Sequence, residues 1–167
     1  GAWAALMHRW GKLTLDARVF PSAALAMDRP NPRNALGTAL LSSATACADI
    51  SDGLAQDLGH ILERSGVDAD VLWDAVPKHP ALAALSQEQQ VEAAMSGGDD
   101  YELVFTAPAD KRGLIEQASI SALTPVTRIG RIIEKKQSGA PLAIRDASGR
   151  PLFLPVQGFD HFAQGAD

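Results

Sequence analysis

From Asp52 to Gly66 the apolar residues Leu54, Leu58, Ile61 and Leu62 recur at i, i+4, i+7 and i+8, and a glycine stands where the run stops. That spacing predicts an amphipathic helix with Gly66 at its C-terminus, where a left-handed residue commonly closes the last turn. One apolar stripe needs another element to cover it. The flanking segments say what kind. Val67 to Trp73 alternates acidic and apolar residues, and Tyr101, Leu103, Val104 and Phe105 form a compact apolar run. Both predict strands. Helices and strands therefore intermix, and the predicted class is α/β (α+β), with helices packed on a mixed β-sheet.

The rest of the chain fits that class. Trp3, Leu6, Met7 and Trp10 show helical spacing, whereas Gly11 to Pro21 reads either way. In the segment Met27 to Arg33, Pro30 and Pro32 push the residues before them toward extended geometry and predict a stiff connector. Asn34 is the predicted cap of a helix through Leu36, Leu40 and Leu41 toward Ala46. Pro77 and Pro80 break the chain ahead of a predicted helix over Gln87 to Met95. A helix over Ala109 to Ser119 and a strand over Val126 to Ile133 follow. Leu142 to Arg145 and Pro151 to Val156, joined by Asp146-Ala-Ser-Gly-Arg150, predict a terminal hairpin.

Composition narrows the partners. A length of 167 residues with 46% hydrophobic content suits one domain with a sizeable core. A formal charge of −5 and the absence of a basic stripe argue against nucleic acid and for a small-molecule partner. No stretch has the roughly 20 apolar residues that span a bilayer, and no signal peptide opens the chain, so a cytoplasmic protein is expected. Cys47, the single cysteine, excludes an internal disulfide and a thiolate zinc site; its apolar neighbours predict a small buried residue.

Two turns carry the chemistry. Asp49-Ile-Ser-Asp-Gly-Leu54 opens the amphipathic helix, and Ser96-Gly-Gly-Asp-Asp-Tyr-Glu102 leads into the apolar strand. Acidic oxygens beside glycine-exposed backbone suit a hydrated magnesium ion and the phosphates it carries, and helix N-terminal amides suit phosphate. In the plainer alternative Ser51 or Asp52 caps the helix, Asp49 is a solvated turn residue, and Gly97 to Asp100 is an ordinary Gly-Asp turn. His60 lies near the helix's polar flank with no metal-ligand spacing to another histidine, which favours a structural or solvated role. Neither Ser51 nor Ser96 stands in a Gly-x-Ser-x-Gly elbow, and no Walker loop, Gly-x-Gly-x-x-Gly fingerprint or EF-hand spacing occurs. Gly158-Phe-Asp-His-Phe162 reads as an apolar tail over the core, or as a stacking wall for a flat heterocycle.

Taken in order, several pieces carry a likeness. They are Arg29-Pro-Asn-Pro-Arg33 with Leu36-Gly37, and Ala48-Asp-Ile-Ser-Asp-Gly-Leu54 continuing through Asp57-Leu58-Gly59-His60-Ile61-Leu62 to Ser65-Gly66. Gly97-Gly-Asp-Asp-Tyr-Glu-Leu103 with Phe105-Thr106, Ile129-Gly130 and Gly158-Phe-Asp-His-Phe162 complete the set. Together they resemble the C-terminal half of thiamine-monophosphate kinase, of the superfamily that includes aminoimidazole ribonucleotide synthetase and selenophosphate synthetase. The resemblance implies transfer of the γ-phosphoryl group of ATP to thiamine monophosphate, giving thiamine diphosphate and ADP. It implies magnesium at Asp49 and Asp52, ATP contact at Ser51, and thiamine monophosphate contact at Asp99 and Phe159, with no general base. Many relatives carry glutamate where this chain has Asp99, and Phe159 replaces a more usual tyrosine or tryptophan.

The same resemblance divides the chain into a helical lead-in over 1–26 and the C-terminal domain over 27–167. It implies a further N-terminal ATP-binding domain outside this chain, a homodimer when full length, and no activity for this chain alone. The uncapped helix at 2–10 agrees with a chain that begins partway through a larger protein. Two other functions share these residues: another ATP-dependent enzyme of the superfamily, and a non-catalytic module binding a metal or partner through its acidic turns.

Overall fold

The computed structural model describes residues 1–152. Six α-helices and five strands are described in chain order: α1 (Ala2–Arg9), α2 (Phe20–Asp28), α3 (Asn34–Leu40), β1 (Ala46–Asp49), α4 (Leu54–Ser65), β2 (Val67–Leu72), α5 (Gln87–Met95), β3 (Leu103–Thr106), α6 (Arg112–Ser121), β4 (Gly130–Glu134) and β5 (Leu142–Arg145). The strands make two sheets. β1 pairs antiparallel with β3, from Ala46 opposite Thr106 to Asp49 opposite Leu103. β2 lies between β4, antiparallel, and β5, parallel, so this three-stranded sheet is the mixed one.

The helix α4 organises the interior. Leu54, Leu58, Ile61 and Leu62 are buried against Val71 and Trp73, Val91 and Met95 of α5, Val104 of β3 and Ile144 of β5. Gly66 closes it at φ 64, as its position predicts. α5 carries a capping box, with Ser86 Oγ accepting from the Gln89 N–H and Gln89 Oε1 accepting from the Ser86 N–H, both at 3.2 Å. α1 and α2 meet through alanine: Ala4, Ala5 and Ala23 are fully buried, and small side chains let two helices approach closely. Trp10, part of the apolar spacing in α1, is 54% exposed. α3 and α6 close a third cluster around Leu36, Leu40 and Ala118.

Several local expectations need correction. Asn34 is the first helical residue rather than a cap, and α3 stops at Leu40 because the chain must extend into β1, which begins at Ala46. Tyr101 belongs to the turn before β3, with φ 51. Cys47 is exposed, since Ala46, Ala48 and Ile50 face the main core and the pleat turns Cys47 and Asp49 outward. Asp68 is 3% exposed, covered where its Oδ2 accepts the Lys136 N–H at 3.0 Å. The predicted hairpin is described as far as β5 and an Arg145 to Pro151 bridge; the remainder of its second strand and Gly158 to Phe162 lie outside the described residues.

Candidate active site

Both acidic turns lie at one end of the β1–β3 pair, joined by backbone. Beyond the strand register the Ile50 N–H donates to the Glu102 carbonyl (2.8 Å), the Tyr101 N–H to the Ile50 carbonyl (3.0 Å) and the Asp99 N–H to the Ser51 carbonyl (3.0 Å). The glycines make this approach feasible. A Cβ on Gly98 would collide with the Ser51 carbonyl oxygen, and one on Gly97 with the Ala93 carbonyl oxygen. Gly53 takes φ 122, and a Cβ there would stand 2.9 Å from the Met95 carbonyl oxygen. The glycines expected to admit a ligand thus admit the other turn and the end of α5.

Asp57 shapes the first turn. It is 5% exposed, and its Oδ2 accepts the N–H groups of Ser51 (3.0 Å), Asp52 (3.1 Å) and Gly53 (3.1 Å). Neither Ser51 nor Asp52 caps α4 through its side chain; Gly53 stands at the N-cap. The amides of Ser51, Asp52 and Gly53 are therefore engaged within the protein. Asp49 is exposed at the end of β1. Ser51 and Asp52 are half-buried, with Asp52 Oδ2 accepting from Gln56 Nε2 at 3.2 Å.

The neighbouring aspartates of the second turn diverge. Asp99 is exposed at φ 64, with the Tyr101 hydroxyl 3.4 Å from its Oδ1. Asp100 turns back to α1, where its Oδ1 accepts the Ala2 N–H at 3.4 Å. The helix that lacks a local cap receives one from 98 residues away. Glu102 holds Arg33 through a fork, Nε to Oε2 at 2.8 Å and Nη2 to Oε1 at 2.5 Å. That bond raises the Arg33 pKa above its ordinary value and keeps the guanidinium charged.

Arg33, Leu41, Cys47, Asp49, Tyr101 and Leu103 line an open groove of about 600 Å³ beside the two turns. Loss of water around its sulfur raises the Cys47 pKa, and the Asp49 carboxylate adds to the rise, so the thiol stays neutral. Magnesium is commonly held by one or two carboxylates completed with water and phosphate oxygens. The hard oxygen donors of Asp49 and Asp52 fit that chemistry. Among the described residues no three His, Cys, Asp or Glu side chains form a complete metal cage. Phe159 lies outside the described residues.

The role of Asp57, the contact of Asp100 with α1 and the Arg33–Glu102 fork are not predicted from the sequence. For Asp57 a signal existed: it stands at i+3 from Leu54 and at i−4 from Ile61, a carboxylate inside the apolar stripe. Such a buried charge needs partners.

Residues 3–142 match the family described as AIR synthase related protein, C-terminal domain. A thiamine-monophosphate kinase of Haemophilus influenzae is 42% identical over 138 residues, covering 81% of this chain and 42% of that protein. The crystal structure of thiamine-monophosphate kinase from Stenotrophomonas maltophilia superposes with a TM-score of 0.74 at 40% identity, over 86% of this chain and 46% of that one. AaThiL complexed with AMPPCP and TMP superposes at 0.72 and 25% identity, over 96% and 48%. The chain spans less than half the length of each of these relatives. A match over residues 3–142, supported by these superpositions, makes this chain a member of the AIR synthase related protein C-terminal domain family.

Proposed function

We propose that this chain is one wall of a thiamine-monophosphate kinase, an enzyme that transfers the γ-phosphoryl group of ATP to thiamine monophosphate. The observation that carries the reading is the backbone joining of the two acidic turns, on a chain 42% identical to a thiamine-monophosphate kinase. A relative complexed with AMPPCP and TMP supports a nucleotide and a thiamine phosphate as the two ligands.

In this reading Asp49 and Asp52 hold magnesium, Ser51 contacts ATP, and Asp99 and Phe159 contact thiamine monophosphate. Bound magnesium would neutralise charge between the donor and acceptor phosphates. The turns orient the groups: backbone bonds between residues 50–51 and 99–102 keep the nucleotide-facing and substrate-facing carboxylates in fixed relation. The acceptor phosphate is largely ionised at neutral pH, so no side chain is required as a general base. The opposite wall comes from an N-terminal domain of the same protein, and the full-length enzyme is a cytoplasmic homodimer. This chain alone is inactive.

The test uses the full-length protein. Asp52→Asn is expected to abolish turnover while leaving the melting temperature near that of the parent, and thiamine monophosphate is expected to raise the parent's melting temperature. Retained turnover sinks the metal assignment. Absence of stabilisation by the thiamine compound, beside stabilisation by an aminoimidazole precursor, assigns the protein to another branch of the superfamily.

A further inference from the structure

We propose that Asp57 is a positioning residue that commits the first acidic turn to a cation, so that nucleotide phosphate is received there through a metal rather than by the amides of residues 51–53. The proposal rests on the nucleotide-facing role given to that turn above. Three consecutive N–H groups ahead of a helix otherwise form a cradle for an anion. Here the Asp57 carboxylate fills that cradle from the first turn of α4, accepting from Ser51, Asp52 and Gly53 at 3.0 to 3.1 Å while itself 5% exposed.

Two consequences follow. The amides are satisfied internally, and the negative charge behind them opposes a bare phosphate. The backbone of residues 51–53 is also pinned, with Asp52 Oδ2 further held by Gln56 Nε2 at 3.2 Å and the Ser51 carbonyl held by the Asp99 N–H at 3.0 Å. Asp52 thus presents its carboxylate from a turn that has little freedom to follow a ligand. Neighbours that fix a metal ligand's orientation act on affinity in this way, and their loss typically weakens metal binding about 10- to 100-fold.

Asp57→Asn and Asp52→Asn in the full-length protein test the assignment with two readouts. The first is amide hydrogen exchange at residues 51–53 with neither metal nor nucleotide present; Asp57→Asn is expected to accelerate it. The second is calorimetric titration with AMPPCP, with and without magnesium. Asp57→Asn is expected to weaken Mg·AMPPCP binding at least about tenfold and to narrow the difference between the magnesium and metal-free titrations. A purely structural role lowers the melting temperature and leaves the affinity of the folded protein unchanged.

Unchanged Mg·AMPPCP affinity in Asp57→Asn beside lost affinity in Asp52→Asn overturns the positioning role alone. Unchanged affinity in both variants overturns it together with the metal reading. Should Asp57→Asn fail to fold, Asp57→Glu keeps the carboxylate but displaces it by one methylene. Intermediate exchange and affinity then support the proposal, and parental values for both overturn it.

Discussion

Replacing Gly98 by alanine separates two explanations for the glycines of the second turn. If they serve ligand approach alone, an added methyl leaves the empty protein unaffected. The structure predicts otherwise, because the new Cβ would collide with the Ser51 carbonyl oxygen and stand 3.1 Å from the Ser51 carbonyl carbon and 3.4 Å from the Asp52 Cα. Gly98 is not among the residues with positive φ, so alanine can adopt its backbone conformation and the penalty comes from the collision. Relief requires the turns to separate, which stretches the Asp99 to Ser51 and Tyr101 to Ile50 bonds, both 3.0 Å.

Each such bond is worth about 1 kcal/mol net. Overpacking strain adds roughly 1–3 kcal/mol. A loss of about 3–5 kcal/mol is therefore expected in urea unfolding followed by tryptophan fluorescence, with faster amide exchange at Asp99 and Tyr101. Gly59→Ala is the control. Gly59 lies within α4 with no atom within 4 Å of its added Cβ, and alanine there is expected to gain about 0.5–1 kcal/mol from helix propensity. A Gly98→Ala loss below about 1 kcal/mol, with exchange at Asp99 and Tyr101 unchanged, refutes the reasoning.

Three further predictions test the surrounding structure. Leu62→Ala, at a fully buried position, is expected to lose about 2–5 kcal/mol by urea unfolding, whereas Leu41→Ala, 81% exposed, stays within about 0.5 kcal/mol of the parent. His79 accepts the Ala81 N–H through Nδ1 at 3.1 Å, and burial lowers its pKa, with Asp100 opposing the fall. Its contribution to stability is therefore fully present above the ordinary value of 6.5 and lost as pH falls through the lower folded value. His79→Asn keeps a cap acceptor and should flatten that decline when urea midpoints are followed across the acidic range. For Arg33 and Glu102, a double-mutant cycle is expected to give a coupling of about 1 kcal/mol, because side chains 26% and 46% exposed are screened by water. Arg33→Lys should forfeit most of it by losing the fork, and coupling indistinguishable from zero would remove the pair as a fastening of the second turn.

Long amphipathic elements were legible in the sequence because their signal is local. The stripe of Leu54, Leu58, Ile61 and Leu62 and the closing Gly66 yielded α4, and the alternation after Val67 yielded β2. The helix predicted over Gln87 to Met95 matches α5 residue for residue. β1 is not legible because Ala46 to Asp49 has small residues and no periodic apolar signal; its pairing with β3, 54 to 60 positions later, makes it a strand. Cys47 was expected inside for the same reason: apolar neighbours in sequence say little about which side of a pleat faces the core.

By itself the sequence determined the mixture of helix and strand and the two acidic turns. Only the tertiary structure decided what those turns do to each other. Asp99 and Asp100, adjacent in the chain, serve different elements, the one beside Ser51 and the other at the start of α1. Gly98 accommodates a carbonyl 47 positions away, and Asp57 gathers the amides of the first turn. The reason is physical. Helical periodicity is written in residues three and four apart, whereas the contacts that aim a carboxylate exist only once distant backbone has been brought together.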